Sequence, residues 1–367
     1  MKLFKLLAYN LWIIFLTFTF SNVLAQDNSD IDKVDLFDKN YMQAMVRVKC
    51  VKTYKLTNIN VFKKMPKGKG QLIEERYYDS LGRPTKIKIL EENSSEFENY
   101  QFKYVSKGPY SLIKTNKSGN KDYEWFFTKD TLVYREVKYV NGGKRKYSWE
   151  YTYNDDLEVT SLKKLNKSGK PVRERINTYD DLGRLVELKF FQPINKLKSS
   201  GKISYIDTTH NVEEFKIFEN QTLKSFDTYK YNEQDQLIRI NNYNHLGEVF
   251  STQIFEYDDL KRTSKKVLVD RTGDIIQAAS YRYNSDDKLT HINLEIGDYL
   301  IQNIENEYDA FGNIKFQKTI SSQAGGKSYE LITYYEYNDN GHLIEQRSEN
   351  LDAKLRHITK VEYDYYE

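Results

Sequence analysis

The stretch Tyr179-Asp180-Asp181-Leu182-Gly183-Arg184-Leu185 decides the fold, because the chain repeats it at a near-constant interval. A tyrosine followed by Asp or Asn recurs at Tyr78-Asp79, Tyr153-Asn154, Tyr179-Asp180, Tyr231-Asn232, Tyr257-Asp258, Tyr283-Asn284, Tyr308-Asp309, Tyr337-Asn338 and Tyr363-Asp364. Successive gaps are 75, 26, 52, 26, 26, 25, 29 and 26 residues, and degenerate copies at Tyr104, Phe127 and Tyr205 fill the two wide ones. Twelve anchors between residues 78 and 363 define a tandem unit of about 26 residues, the kind of period that marks a repeat architecture.

Inside the unit, a second aromatic or apolar column stands two residues before the anchor, as in Tyr151/Tyr153, Tyr229/Tyr231 and Tyr281/Tyr283. Residues two apart on a strand share a face, so each pair presents two rings to one side. Asp or Asn then initiates a turn through its side chain, and Gly82, Gly183, Gly312 or Gly341 follows four residues after the anchor, where positive φ is expected. Leu185, Leu237, Leu289, Ile314 and Leu343 open the next strand. A second turn lies near Asn116-Gly119, Asn166-Gly169, Asn244-Gly247 and Asp270-Gly273, so one unit reads strand, turn, strand, turn. Short connections join antiparallel neighbours. The expected fold is all-β: hairpin repeats of about 26 residues in one long antiparallel sheet, ~115 Å across if flat, which accumulated twist must curl or coil into a spiral.

The ends differ from the middle. Lys2 and Lys5 precede the apolar run Leu11 to Phe20, and Val23-Leu24-Ala25 closes a segment that reads as a secretory signal peptide over 1–25. Its apolar core is shorter than the ~20 residues of a membrane span. Residues 26–45 are polar and suit a leader or N-terminal cap, and 46–367 form the repeat array, ending just after an anchor with no further domain expected.

Formal charge is only +3, with 56 basic and 53 acidic side chains, which removes the electrostatic case for nucleic acid. Cys50 is the single cysteine, so neither an intramolecular disulfide nor a thiolate zinc cage is available, and it is expected as a small apolar side chain on a buried face. The 31 tyrosines suit a pleated, half-buried surface.

The segments Tyr78-Asp79-Ser80-Leu81-Gly82-Arg83 and Tyr179-Asp180-Asp181-Leu182-Gly183-Arg184-Leu185 resemble the YD repeat of the Rhs family, whose core reads Y-D-x-x-G-R-L. The resemblance extends over nearly the whole mature chain and implies β-strips that spiral into shells, as in bacterial toxin delivery proteins, wall-associated proteins and animal adhesion receptors. Here the unit is longer than the usual one and the array shorter than those enclosing a cargo. A surface or periplasmic repeat protein is therefore expected rather than a toxin.

Catalytic constellations do not emerge. His210, His245, His291, His342 and His357 fall at different offsets from their anchors and form no metal ladder. The anchor Asp invites calcium, but Asn takes its place in four of the nine copies, and turn formation explains both residues. Gly325-Gly326-Lys327-Ser328 lacks the first glycine of a phosphate loop, and Glu74-Glu75, Glu91-Glu92 and Glu213-Glu214 point to opposite faces of their strands. No cofactor, metal or enzymatic activity is expected. Aromatic columns are expected to pack; the candidates for ligand contact are Trp125, which shares the packing column, and Trp149, four residues before an anchor and freer.

The expected function is an exported, non-enzymatic scaffold binding a protein or polysaccharide at the cell surface or in the periplasm. The alternatives are an outer-membrane β-barrel or an enzyme whose site assembles from distant repeats. A barrel needs a lipid face of alternating apolar residues. Ile314-Phe316-Lys318-Ile320 and Ile358-Lys360-Glu362 interrupt that alternation with charge, so the mature chain is not expected to span a membrane.

Overall fold

A computed structural model describes residue 45 and residues 47–366, apart from 65–67, 91–93, 106–107, 116–117, 130–131, 141–142, 298–299, 324–325 and 327. The expected signal peptide (1–25), all but the last residue of the expected leader (26–45), the Glu91-Glu92 pair and two residues of the 325–328 turn lie outside these residues. The described chain is entirely strand and turn.

The first eight strands are β1 (Val48–Asn60), β2 (Gln71–Tyr78), β3 (Pro84–Leu90), β4 (Phe97–Val105), β5 (Gly108–Thr115), β6 (Lys121–Phe127), β7 (Val133–Val140) and β8 (Lys144–Tyr153). Next come β9 (Val159–Asn166), β10 (Pro171–Tyr179), β11 (Leu185–Phe191), β12 (Leu197–Tyr205), β13 (Val212–Glu219), β14 (Thr222–Tyr231), β15 (Leu237–Asn244) and β16 (Val249–Tyr257). The last are β17 (Thr263–Asp270), β18 (Ile275–Tyr283), β19 (Leu289–Ile296), β20 (Leu300–Tyr308), β21 (Ile314–Gln323), β22 (Ser328–Tyr337), β23 (Leu343–Asn350) and β24 (Leu355–Tyr365). All twelve sequence anchors fall at the ends of even-numbered strands, so the repeat count and the 24 described strands agree.

Each strand pairs antiparallel with the next, and β1 pairs with both β2 and β24. The sheet therefore closes. Across the seam Thr53 faces Val361 and Lys52 faces Glu362. The expected long antiparallel sheet of hairpin repeats is present, and its closure leaves no open edge, the feature that makes a long sheet prone to pair with other chains. A circular ring of 24 strands at ~4.8 Å spacing, tilted ~35–45°, is roughly 45–50 Å across. Side chains fill barrels of about eight strands, so a round ring of this size encloses a lumen rather than one core.

Two faces follow from the pleat. Along β20, Gln302 and Ile304 are buried and Asn306 and Tyr308 half-buried, while Ile301, Asn303, Glu305 and Glu307 are exposed. Side chains converge on the concave side of a closed sheet, so the enclosed set, which carries the anchor tyrosine, faces the axis. Cross-strand register carries this assignment around the ring. Enclosed apolar clusters are local: Ile87, Tyr100, Phe102, Leu112, Trp125 and Phe127 pack together on β3–β6, and Val48, Val51 and Tyr78 near the seam. Cys50 is buried, as expected for its alternating stretch, and that burial raises its thiol pKa.

The anchor turns repeat in atomic detail. Asp180 Oδ1 accepts the backbone N–H groups of Leu182 (3.0 Å) and Arg184 (2.9 Å), and its Oδ2 accepts Arg184 Nε at 2.7 Å. Asp79 with Arg83 and Asp258 with Arg262 do the same. Asn154 and Asn232 keep the backbone contacts but donate from Nδ2 to Glu158 and Gln236. At these five turns the carboxylate meets a donor and the amide meets an acceptor four residues on, whereas Asn284 stands before Lys288 and makes only the backbone contacts. Positive φ at the fourth position past the anchor holds for Gly183 (74°) and persists where glycine is absent, at Leu157 (66°) and Lys261 (64°).

The arginine also couples repeats. Its guanidinium lies over the next anchor ring: Arg83 on Tyr104 (4.5 Å), Arg184 on Tyr205 (4.5 Å) and Arg262 on Tyr283 (4.6 Å). Ten of the twelve anchors are tyrosines whose hydroxyl donates to the carbonyl of the first residue of the preceding strand. Tyr153 reaches Val133, Tyr179 Val159, Tyr205 Leu185, Tyr231 Val212 and Tyr257 Leu237; Tyr283, Tyr308, Tyr337 and Tyr363 continue the series, and Tyr104 makes the same bond to Pro84. A register shift beside the anchor accompanies these bonds, for example between Lys230 and Tyr231. Such bulges re-aim side chains.

Candidate functional site

The two tryptophans singled out in the sequence share the inner face, two strands apart with Glu136 between them. Register places Phe102, Leu112, Trp125, Glu136, Trp149, Lys164 and Arg173 side by side across β4 to β10. Trp125 is 2 % exposed within the β3–β6 cluster and stacks on Tyr123 at 5.4 Å, so its role is packing. Trp149 is half-buried, and Lys164 Nζ stands 4.9 Å over its ring and 4.4 Å over that of Tyr147. The remaining residues singled out in the sequence (Tyr78, Asp79, Gly82, Tyr153, Tyr179, Asp180, Gly183, Tyr231, Tyr257, Asp258, Tyr283, Tyr308, Asp309, Gly312, Tyr337, Gly341 and Tyr363) sit at one rim as strand ends and turns.

Beside Trp149 the inner face turns basic. Lys164 and Arg173 are direct cross-strand partners, and Arg175, one step along the same face, opposes Leu162. Arg173 is exposed, whereas Arg175 is half-buried and its Nε is enclosed without a hydrogen-bond partner. Desolvation lowers the proton affinity of the Arg175 guanidinium, which nonetheless remains charged at neutral pH. Glu136, the cross-strand partner of Trp149 on this face, accepts the Tyr151 hydroxyl at 2.9 Å. Burial, followed by Glu136, pushes the Tyr151 hydroxyl pKa well above its ordinary value. Lys138, next to Glu136, is bonded to Asp122 at 2.5 Å. Sequence reading passed over Arg173 and Arg175, although basic residues two apart on one strand share a face.

Elsewhere the inner face holds a buried polar row. Asn242 Nδ2 donates to Asp227 at 2.7 Å and Ser251 donates to Asn242 at 2.9 Å. Burial raises the Asp227 carboxyl despite its bond from Asn242. Ion pairs occur on both faces: Lys114–Glu98 (2.8 Å) and Arg76–Glu74 (2.7 Å) lie on the inner one. Cross-strand ion pairs Lys88–Glu75, Lys163–Glu174, Lys318–Glu330, Lys360–Glu345 and Lys52–Asp364 recur around the outer one.

His342 stacks on Tyr363 at 4.8 Å at the anchor rim, and His357 lies on the inner face of β24, where burial lowers its pKa. Among the described residues no group of three or more His, Cys, Asp or Glu converges on one point. Asp79, Asp180 and Asp258 spend both carboxylate oxygens on backbone amides and arginine, and Asp309 spends its oxygens on backbone amides and Asn313. No helix among the described residues is long and apolar enough to cross a membrane, which leaves crossing by strands open.

No family model matches the sequence, and no curated protein matches it. Among solved structures, the TcdB2-TccC3-Cdc42 assembly is similar at 9 % identity and a TM-score of 0.18, over 78 % of this chain and 22 % of that one. The chain thus spans about a fifth of the length of that structure. A porin-like protein from Bacteroides uniformis matches at 8 % identity and a TM-score of 0.26, covering 86 % of this chain and 98 % of that one. A porin-like protein from Bacteroides vulgatus matches at 9 % identity and a TM-score of 0.22, over 87 % and 99 %. At these scores the likeness carries no argument about activity.

Proposed function

We propose that this chain is an exported, non-enzymatic β-barrel of the cell envelope whose working surface is the inner face. One observation carries the reading: the ring closes with its anchor tyrosines and Arg175 turned inward, while the cross-strand pairs Lys163–Glu174 and Lys318–Glu330 are turned outward. Closure favours the barrel alternative over an open scaffold, because a closed ring offers no long edge or flat face for a partner to dock on. The YD-like repeat is the device that builds the ring, and the signal-like segment at 1–25 supports export.

A second reading places the same barrel in an outer membrane. Closure itself favours it, since a membrane tolerates only sheets without edges. Strands of 7 to 13 residues bracket the ~9–11 needed to cross. Against it stand the outer-face charges, each of which costs about 2–4 kcal/mol for Lys or Arg at the bilayer midplane. We therefore assign the barrel to an aqueous compartment. Protein lacking residues 1–25 should purify monodisperse without detergent. Recovery of the exported protein only from detergent-extracted membranes would transfer the assignment to the outer membrane.

A further inference from the structure

Charge on this barrel is sorted by rim. Opposite the anchors, the turns that join β7 to β8, β9 to β10 and β11 to β12, with the strand residues beside them, expose Lys144, Lys146, Lys167, Lys170, Lys196 and Lys198. Residues 140–147, 166–173 and 191–199 contain no Asp or Glu, and among the described residues no ion pair holds any of these six lysines. Lys196 and Lys198 also line a cleft of about 400 Å³ with Gln192, Pro193 and Asn220. The anchor rim of the same sector is acidic: its turns from β8 to β15 expose Asp155, Asp156, Asp181, Asp207, Glu233 and Asp235. The one Lys or Arg in those four turns, Arg184, is held by Asp180 at 2.7 Å. A formal charge of only +3 therefore conceals a separation of charge along the barrel. In this sector β8 has 10 residues and β11 has 7. At ~3.4 Å per residue, tilted as in a barrel, the rims stand roughly 20–30 Å apart. That exceeds the Debye length of about 10 Å at 0.1 M salt, so neither rim neutralises the other within one molecule.

We propose that the basic rim of one copy docks on the acidic anchor rim of a second copy of this chain, stacking barrels head to tail. A second copy is the occupant because its anchor rim carries the complementary charge, carries it over the same strands, and has the circumference of the same ring. Leu157 and Leu182 stand exposed among the acids, and Val140 and Val172 among the bases, which gives the contact apolar points as well. The two rims differ, so the contact is heterologous and repeats without closing, and the lumens of successive barrels join into one channel. Single exposed ion pairs are weak, so the contact depends on many acting together and fades with salt. The inference rests on the closed ring in an aqueous compartment and is independent of what the inner face receives.

The test is sedimentation velocity on protein lacking residues 1–25, without detergent, over a range of protein concentrations at about 20 mM and about 500 mM salt. Single barrels are expected at the higher salt. At the lower salt the average mass should grow with concentration and fall back when salt is added. Lys167→Glu/Lys170→Glu on the basic rim and Asp155→Lys/Asp181→Lys on the acidic rim should each weaken association about tenfold or more. Lys216→Gln on the outer face should leave it unchanged. Each double variant keeps one intact rim, so an equimolar mixture of the two should form one-to-one pairs and stop there, which also shows that both are folded. The inference is overturned if the parent stays single at low salt, if either variant stacks like the parent, if the mixture forms no pairs, or if association survives added salt. A parent that stays single while its basic rim binds dextran sulfate would assign that rim to an anionic polymer and overturn the second-copy reading. A disulfide between Thr53→Cys and Val361→Cys, scored on the same preparation in a Cys50→Ser background, shows the ring closed and so separates failure of stacking from failure of the barrel.

Discussion

The Tyr366 hydroxyl donates at 2.5 Å to the backbone carbonyl of Tyr78, joining residues 288 positions apart. Tyr78 ends β2, so the bond reaches past β1 and adds a side-chain tie to the β1–β24 ladder that closes the ring. Arg356 adds a second link, from Nη2 to the Val61 carbonyl at 3.3 Å. The last repeat therefore treats the first as its next neighbour.

That closure is directly testable with one engineered crosslink. Thr53 and Val361 are opposed across the β1–β24 seam. In a Cys50→Ser background, Thr53→Cys with Val361→Cys should oxidise to a disulfide that shifts mobility on a non-reducing gel. It should raise stability by about 2–4 kcal/mol, because the closed loop is long. An open or spiralling sheet would hold these residues apart and give only reduced monomer.

The anchor hydroxyls should contribute individually and modestly. Tyr257 donates to the Leu237 carbonyl at 2.8 Å. Tyr257→Phe removes one hydrogen bond and should cost about 0.5–1.5 kcal/mol by denaturant unfolding. Tyr243→Phe, on the outer face where the ring stacks on Phe226 at 4.5 Å, should stay within about ±0.5 kcal/mol. Equal effects at the two sites would remove the hydroxyl ladder from the account of stability.

Turn geometry predicts a stabilising substitution. Leu157 holds φ at 66° in the position that Gly183 fills one repeat later, and it is half exposed. The left-handed region costs a residue with a Cβ about 1–2 kcal/mol. Leu157→Gly should therefore stabilise the barrel by roughly 0.5–1 kcal/mol, part of the strain being offset by the added flexibility of the unfolded chain. A lower denaturation midpoint for the variant would show that Leu157 has a packing role outweighing its backbone strain.

The Asp180 turn predicts an acid limb. Its bond from Arg184, with further backbone N–H donors, holds the Asp180 carboxyl below the ordinary carboxylate range against a smaller opposing effect of burial. A depressed folded pKa contributes stability that is present above the unfolded value, about 3.9, and is lost as pH falls through the folded one. Asp180→Asn keeps the turn-forming side chain but not the charge. The stability gap between parent and variant should be constant near neutrality and shrink as pH drops below about 4. A gap unchanged down to pH 2 would mean the Asp180–Arg184 pair contributes nothing to folding.

The register of the repeat carried most of this architecture. Tyrosines two apart named the shared face, Gly183 and its equivalents named the turns, and twelve anchors counted the even strands before any coordinates. Closure was not legible, because pairing between Thr53 and Val361 depends on accumulated twist and tilt, which no single repeat encodes. Arg175 escaped for a related reason. Its significance comes from Lys164 and Trp149, which reach it only through a register between strands. Trp149 was legible as distinct from Trp125, yet both face inward, and what separates them is the packing of β3–β6 around one and not the other.

An alkaline limb should mirror the acid one, with the opposite sign. Burial, reinforced by the Glu124 hydrogen bond, pushes the Tyr139 hydroxyl up to about 12, and burial with Asp227 nearby raises Tyr229 further. For a phenol the neutral form is the one the fold favours. A raised folded pKa then contributes stability that is intact below the unfolded value near 10 and disappears as pH climbs through the folded value. Absorbance at 295 nm should accordingly lag behind free tyrosine between pH 10 and about 12, and the delayed fraction should appear together with loss of β-sheet circular dichroism. Tyr229→Phe should shift that transition to higher pH, since one buried proton no longer has to be released on unfolding. Ionisation of all tyrosines near pH 10 with the sheet intact would place the anchor rings in water and take the enclosed inner face with it.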